Sequence, residues 1–275
     1  MVAFALLGFV LSSLLLTAGP SVTSPAAAAQ RRAQVELFGD SLAYQAAPYF
    51  AWLIEAGGRA TVAEHTFGGT NVCDWLPTMR RVAAQHPQAV VLEFVGNTFT
   101  PCMAGCTAGS ARAVARTCTD LAVAVRVFRS VGARVYLVGA PITRAQWVHR
   151  DPHRNDLNRR IAALAASAGR DVTYVDAGRA VEGRGGAYTA VLPCLFFEQC
   201  TGPVVAGVRD DVVRSPDGVH FCPGQNGNAV GQVGGCTVYS SGAFRFAAAM
   251  AGPVIRDLHL GRPSGRSPSL PGAVG

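Results

Sequence analysis

The run that most constrains this chain is residues 89–95, AVVLEFV, apolar throughout except for Glu93. A strand of this kind has both faces buried, which is the mark of a parallel sheet covered by helices on each side. Further strands are expected at 33–38, 60–67, 133–138 and 172–175. They alternate with helical patterns at 42–56, 74–85, 111–131 and 151–168, and a last helix is expected over 240–258, with a bend at Pro253 as an option. In the first helix Leu42, Ala46, Tyr49, Phe50, Leu53 and Ile54 fall on one face. In the fourth, Asp151 offers a cap and Pro152 a first-turn proline. Between 178 and 214 the pattern is irregular and rich in glycine. The alternation predicts an α/β fold, and no repeat or composition shift marks a second domain.

In such sheets the site lies beyond the carboxyl ends of the strands. The first three strands end in Gly39-Asp40-Ser41, Gly68-Gly69-Thr70 and Gly96-Asn97-Thr98, so these turns should meet on one edge. Ser41 stands where a strand becomes a helix, and the helix N-terminus favours a developing anion. A serine is a poor nucleophile until a base takes its proton. The base expected here is His220, in the segment SPDGVHF of residues 215–221, with Asp217 three residues earlier to orient the imidazole. The chain order Ser, Asp, His is also that of the α/β-hydrolases, but no G-x-S-x-G elbow is present. Donors for a tetrahedral oxyanion would be the backbone N–H of Ser41, that of Gly68 or Gly69, and the side-chain amide of Asn97. Asp40 reads as a turn or cap residue rather than the acid of the triad.

Taken together, Phe38-Gly39-Asp40-Ser41-Leu42, the glycine at 68, the asparagine at 97 and the pair Asp217 and His220 resemble the ordered blocks of the SGNH (GDSL-type) hydrolases. The blocks stretch from position 38 to 221. The resemblance implies a three-layer α/β/α flavodoxin-like fold with a central five-stranded parallel sheet, and esterase, deacetylase, lipase or acyltransferase chemistry without a metal or cofactor. Two departures stand out: Gly96 directly precedes Asn97 where the family has G-x-N, and Thr98 follows where Asp is common. The cysteine-rich loops and the segment 69–75 resemble exported actinobacterial members.

Composition narrows the alternatives. The chain has 275 residues, 49% of them hydrophobic and 15% charged, enough for a sizeable core. It contains no lysine, which removes the phosphate-loop Lys, the Schiff-base Lys and the Ser–Lys dyad. The net charge of +7 comes from scattered arginines. It reads as a cationic surface that attracts an anionic envelope, glycan or lipid, and no nucleic-acid groove is indicated. His149 and His153 lie near Asp151 and Asp156, but Pro152 interrupts any helix that would align them, so no metal site is expected.

Residues 1–29 carry a short apolar run and a small-residue site after Ala29, the pattern of a signal peptide, with a retained anchor as the alternative. Residues 30–260 would form the hydrolase domain, and 261–275 a Pro/Gly/Ser-rich disordered tail. Eight cysteines behind an export signal suggest disulfides, and eight allow about 105 pairings. Local loops favour 194–200 and 222–236, then 106–118 and 73–102. Trp75 could pack or stack on a sugar, Phe196-Phe197 could line an acyl site or anchor the core, and residues 224–235 form a loop beside His220. The expected function is a secreted or cell-envelope serine esterase acting on an acylated glycan or lipid. The alternatives are an O-acyltransferase of envelope glycans and an inactive envelope-binding module.

Overall fold

The computed structural model of the chain describes residues 32–200, 202–223 and 235–261. The expected signal segment, nearly all of the expected tail and residues 224–234 of the glycine-rich loop lie outside them. Five strands, β1 (Ala33–Gly39), β2 (Ala60–Thr66), β3 (Ala89–Glu93), β4 (Arg134–Val138) and β5 (Val172–Val175), form one all-parallel sheet in the order β2-β1-β3-β4-β5. Between them run α1 (Ser41–Glu55), α2 (Val72–Ala83), α3 (Ala111–Arg129), the short α4 (Arg144–Val148) and α5 (Asp156–Ala168). The last helix, α6 (Ser241–Asp257), is continuous through Pro253.

Strand alternation sorts the side chains into two cores. Val35, Leu37, Val91, Tyr136 and Val138 point to one face, where α1 and α6 cover them with Phe50, Ile54, Phe246 and Met250. Phe38, Val90, Leu92, Val135 and Leu137 point to the other, under α2, α3 and α5 with Met79, Phe128 and Ile161. These side chains are almost wholly removed from water, and each fully buried one contributes roughly 1.5–3 kcal/mol relative to exposure. The result is the expected three-layer α/β/α arrangement. Among the described residues no helix is long and apolar enough to cross a membrane.

The register brings the strand ends level: Gly39 pairs with Thr66 and Glu93, Glu93 with Val138, and Val138 with Val175. Because β1 lies between β2 and β3, the chain reverses its winding beside the carboxyl end of β1, where such sheets open a crevice. Gly39 allows the sharp exit. A Cβ there would collide with that of Ala43 and come 2.7 Å from the Glu93 carbonyl oxygen.

Three expectations need correction. The fourth long helix begins at Asp156 rather than 151, because the Asp151 carboxylate accepts from the His153 N–H and closes a separate turn. The segment 178–214 is not wholly irregular: β6 (Val191–Pro193), β7 (Val204–Val205) and β8 (Val208–Val212) make a small antiparallel sheet in the order β6-β8-β7. Disulfides join Cys73–Cys102, Cys194–Cys200 and Cys222–Cys236, but Cys106 and Cys118 are free. Residue 105 lies against Arg112, and Cys106 influences Arg116, so this loop follows the 112/116 face of α3. Cys118 is about 200° around the helix from 116 and packs on the second core.

Candidate active site

Ser41 is the first residue of α1, and its surroundings follow from the needs of a helix start. The first amides of a helix have no intrahelical acceptor. Here the Asp40 N–H donates to the Glu93 carbonyl at 3.3 Å, Leu42 N–H to Asp40 Oδ1 at 3.1 Å, and Ala43 N–H to Glu93 Oε2 at 3.0 Å. Asp40 is thus the cap that the sequence suggested. The Ser41 N–H has no acceptor among the described residues, and it faces a region favourable to negative charge.

The partner for the Ser41 hydroxyl arrives from 179 residues away. His220 Nε2 lies 2.9 Å from Ser41 Oγ, and His220 Nδ1 lies 2.7 Å from Asp217 Oδ2. A carboxylate only accepts, so Nδ1 carries the proton and Nε2 is left to accept from the serine. The loop is built to hold this line. Asp217 Oδ1 accepts the N–H groups of Val219 and His220 at 2.8 and 3.0 Å, and Ser215 N–H donates to the His220 carbonyl at 2.7 Å. Burial pushes the Asp217 carboxyl up, but the Val219 N–H and the His220 ring and N–H outweigh it and hold it below its ordinary value. Gly218 adopts φ +75° against the Arg144 side chain, where a Cβ would collide. A hydroxyl, a neutral imidazole nitrogen and a carboxylate joined in this way can pass a proton from the hydroxyl to the ring as the oxygen attacks an electrophile.

The turn after β2 brings Gly68 beside Ser41: a Cβ on Gly68 would stand 3.7 Å from that of Ser41. Gly69, at φ +78°, faces the Phe99 ring instead. Thr70 N–H closes the turn onto the Phe67 carbonyl, and the Gly68 N–H has no acceptor among the described residues. Asn97 arrives from the loop after β3. Its side-chain amide nitrogen contacts Asp40 Oδ2 at 3.0 Å and the Thr70 carbonyl at 3.2 Å, while its backbone carbonyl accepts from Asn71 Nδ2 at 2.7 Å. Both Asn97 side-chain hydrogens are therefore engaged, and the longer Thr70 contact is the one to exchange for a ligand oxygen.

Sequence reasoning passed over Glu93 and Arg214 behind this edge. Glu93 and Asp40 are fully buried neighbouring carboxyls. Burial pushes Asp40 up to about 6 against the opposing Val95 and Leu42 N–H donors, and burial together with the Asp40 charge pushes Glu93 well above the carboxylate range. The signal was present in the sequence as the lone charge inside AVVLEFV. Arg214 is also buried, with Nη1 donating to the Val219 carbonyl at 2.8 Å and Nη2 to the Ile142 carbonyl at 2.9 Å. Its guanidinium lies 5.3 Å from the Phe221 ring centroid, and burial lowers it to about 10, so it remains a cation that ties the His220 loop to the segment after β4.

Other candidates resolve plainly. Trp75 packs edge-on to Phe38 and donates to Thr70 Oγ1 at 3.0 Å. Phe197 packs on Phe244, whereas Phe196 is 99% exposed. His153 pairs with Asp156 at 2.9 Å across the start of α5.

The sequence profile of the GDSL-like lipase/acylhydrolase family matches residues 37–194, more than half of the 275-residue chain. That span contains Ser41, Gly68 and Asn97 and ends before Asp217 and His220. Among solved structures, a catalytic mutant of Axe2, an acetylxylan esterase from Geobacillus stearothermophilus, is similar with a TM-score of 0.50 at 14% identity, over 87% of this chain and 100% of that one. A Bacteroides fragilis protein described as a candidate acylhydrolase is similar with a TM-score of 0.50 at 15% identity, over 84% and 92%. At such identities these likenesses concern the fold. No curated protein matches the chain.

Proposed function

The chain belongs to the GDSL-like lipase/acylhydrolase family and is a carboxylic ester hydrolase, and from that premise we propose that it is an exported serine esterase that releases acyl groups from a glycan or lipid. In this reading Ser41 Oγ attacks the ester carbonyl while His220 Nε2 takes its proton, and Asp217 keeps the ring oriented and stabilises the imidazolium. The carbonyl oxygen becomes an oxyanion that receives the N–H groups of Ser41 and Gly68 and one hydrogen of Asn97. Collapse expels the alcohol, which takes the proton from Nε2 and leaves the acyl group on Ser41. Water then gives a proton to His220, attacks the acyl ester and releases the acid, and the proton returns to Ser41.

The observation that carries this reading is the unbroken line from Ser41 Oγ through His220 to Asp217, at 2.9 and 2.7 Å. Export is supported by the apolar N-terminal run and by three disulfides, which persist in oxidising compartments. A fluorophosphonate should form an adduct on Ser41 of the folded protein, and S41A should lose both the adduct and nitrophenyl acetate turnover. Nitrophenyl esters of increasing chain length then define the acyl preference. Free acid should accumulate whether or not a glycan acceptor is supplied. No adduct on folded protein would turn the reading toward a binding module.

A further inference from the structure

The buried carboxyls of Asp40 and Glu93 have unequal surroundings. Asp40 is surrounded by donors: Leu42 N–H on Oδ1, and Val95 N–H at 2.8 Å with the Asn97 amide at 3.0 Å on Oδ2. Glu93 has one, the Ala43 N–H on Oε2, and its Oε1 is buried with no donor. Two adjacent carboxylates out of water cannot both be ionised cheaply. Donors stabilise a carboxylate, so the charge belongs on Asp40 and a proton on Glu93. A protonated Glu93 carries a hydroxyl that needs an acceptor, and the side chain it meets is the neighbouring Asp40 carboxylate. His220, across Ser41, also acts on Asp40.

We infer that Glu93 is a positioning residue that stays protonated at neutral pH and donates to the Asp40 carboxylate, so that one shared proton braces both halves of the oxyanion site. One half is the first turn of α1, held through Ala43 and Leu42, which carries Ser41. The other is the loop after β3, held through Val95 and Asn97. An ionised Glu93 would repel Asp40 and release the Asn97 amide from its anchor. The part of this inference that concerns the oxyanion site rests on the function proposed above, whereas the location of the proton does not.

The test uses the mature chain with E93Q, E93A and S41A. Infrared spectroscopy at pH 7 should show the carbonyl stretch of a protonated, buried carboxyl in the wild type. The band should persist in S41A, which is inactive in the proposed reading, and disappear in E93Q and E93A. E93A should lose roughly 10- to 100-fold in kcat with KM little changed, the cost of a misplaced oxyanion donor. E93Q, which presents a neutral donor of the same shape, should recover most of that loss. Absence of the band from wild type overturns the inference even if E93A fails to fold. So does an E93Q no better than a folded E93A. An inactive wild type that keeps the band would instead fault the esterase reading and leave the proton assignment standing.

Discussion

Asn97 carries a conflict at the scale of a single side chain. In the proposed mechanism its amide holds the Asp40 carboxylate and offers a hydrogen to a substrate oxygen, whereas the structure has both hydrogens occupied. The weaker Thr70 contact is the one to break, so N97A should reduce kcat about 100- to 1,000-fold while leaving KM nearly unchanged, as for loss of one preorganised donor. Steady-state rates on nitrophenyl acetate would test this, and a loss confined to KM would assign Asn97 to ground-state binding. Much at this scale was readable beforehand. Ser41 opens the helix that follows β1 and Asn97 lies in the loop that follows β3, and the three-residue spacing of Asp217 and His220 suits a tight loop. The occupied state of Asn97 was not readable, because Thr70 and Asp40 become its neighbours only through the register of β1 with β2 and β3. Glu93 was visible only as an anomaly, a charge in a strand with no exposed face. Arg214 gave no signal, since its acceptors are backbone carbonyls, one five residues away at Val219 and the other 72 residues away at Ile142.

Among the elements, length decides what the sequence discloses. The helices α1 and α3, of 15 and 19 residues, present faces long enough for periodicity to be read. Strands β6 and β7, of three and two residues, are too short for any period, and their sheet is defined by pairing alone. Helix α2 began two residues earlier than expected because Asn71 and Asp74 form a capping box, a signal present in the sequence as Asn-x-x-Asp. Cysteine pairing followed proximity in the chain except where a helix intervened and turned Cys118 away. Alkylation of the native protein should therefore modify two of eight cysteines, 106 and 118, with six oxidised, and mass mapping would identify them. Cys222 lies two residues beyond His220, and its bridge to Cys236 closes a separation of 14 residues. Replacing both with alanine should cost about 3 kcal/mol on the chain-entropy estimate and should also loosen the His220 loop. A shift in unfolding midpoint without loss of activity would make that bridge a purely structural brace.

For the molecule as a whole, the sheet is the shared wall of two apolar cores, and its carboxyl edge is where polar groups accumulate. Stability and activity are thereby coupled through pH. Asp40 and Glu93 ionise at ordinary values of 3.8 and 4.5 in the unfolded chain, while the folded protein delays Asp40 to about 6 and holds Glu93 well above 4.5. The stability they contribute is complete below those ordinary values and is lost as pH rises through the folded ones. Asp217 acts in the opposite sense: its folded value lies below 3.8, so its contribution is present above 3.8 and is lost as pH falls through that lower value. The opposing trends place a stability maximum in mildly acidic solution, and one substitution separates them. Changing Glu93 to Gln removes only the alkaline loss due to Glu93. The unfolding midpoint of E93Q relative to wild type should rise in thermal melts as pH is taken from 4.5 toward neutrality. Parallel curves over that range would mean that Glu93 titrates alike in the folded and unfolded chains, which no fully buried, donor-poor carboxyl beside a second carboxylate should do.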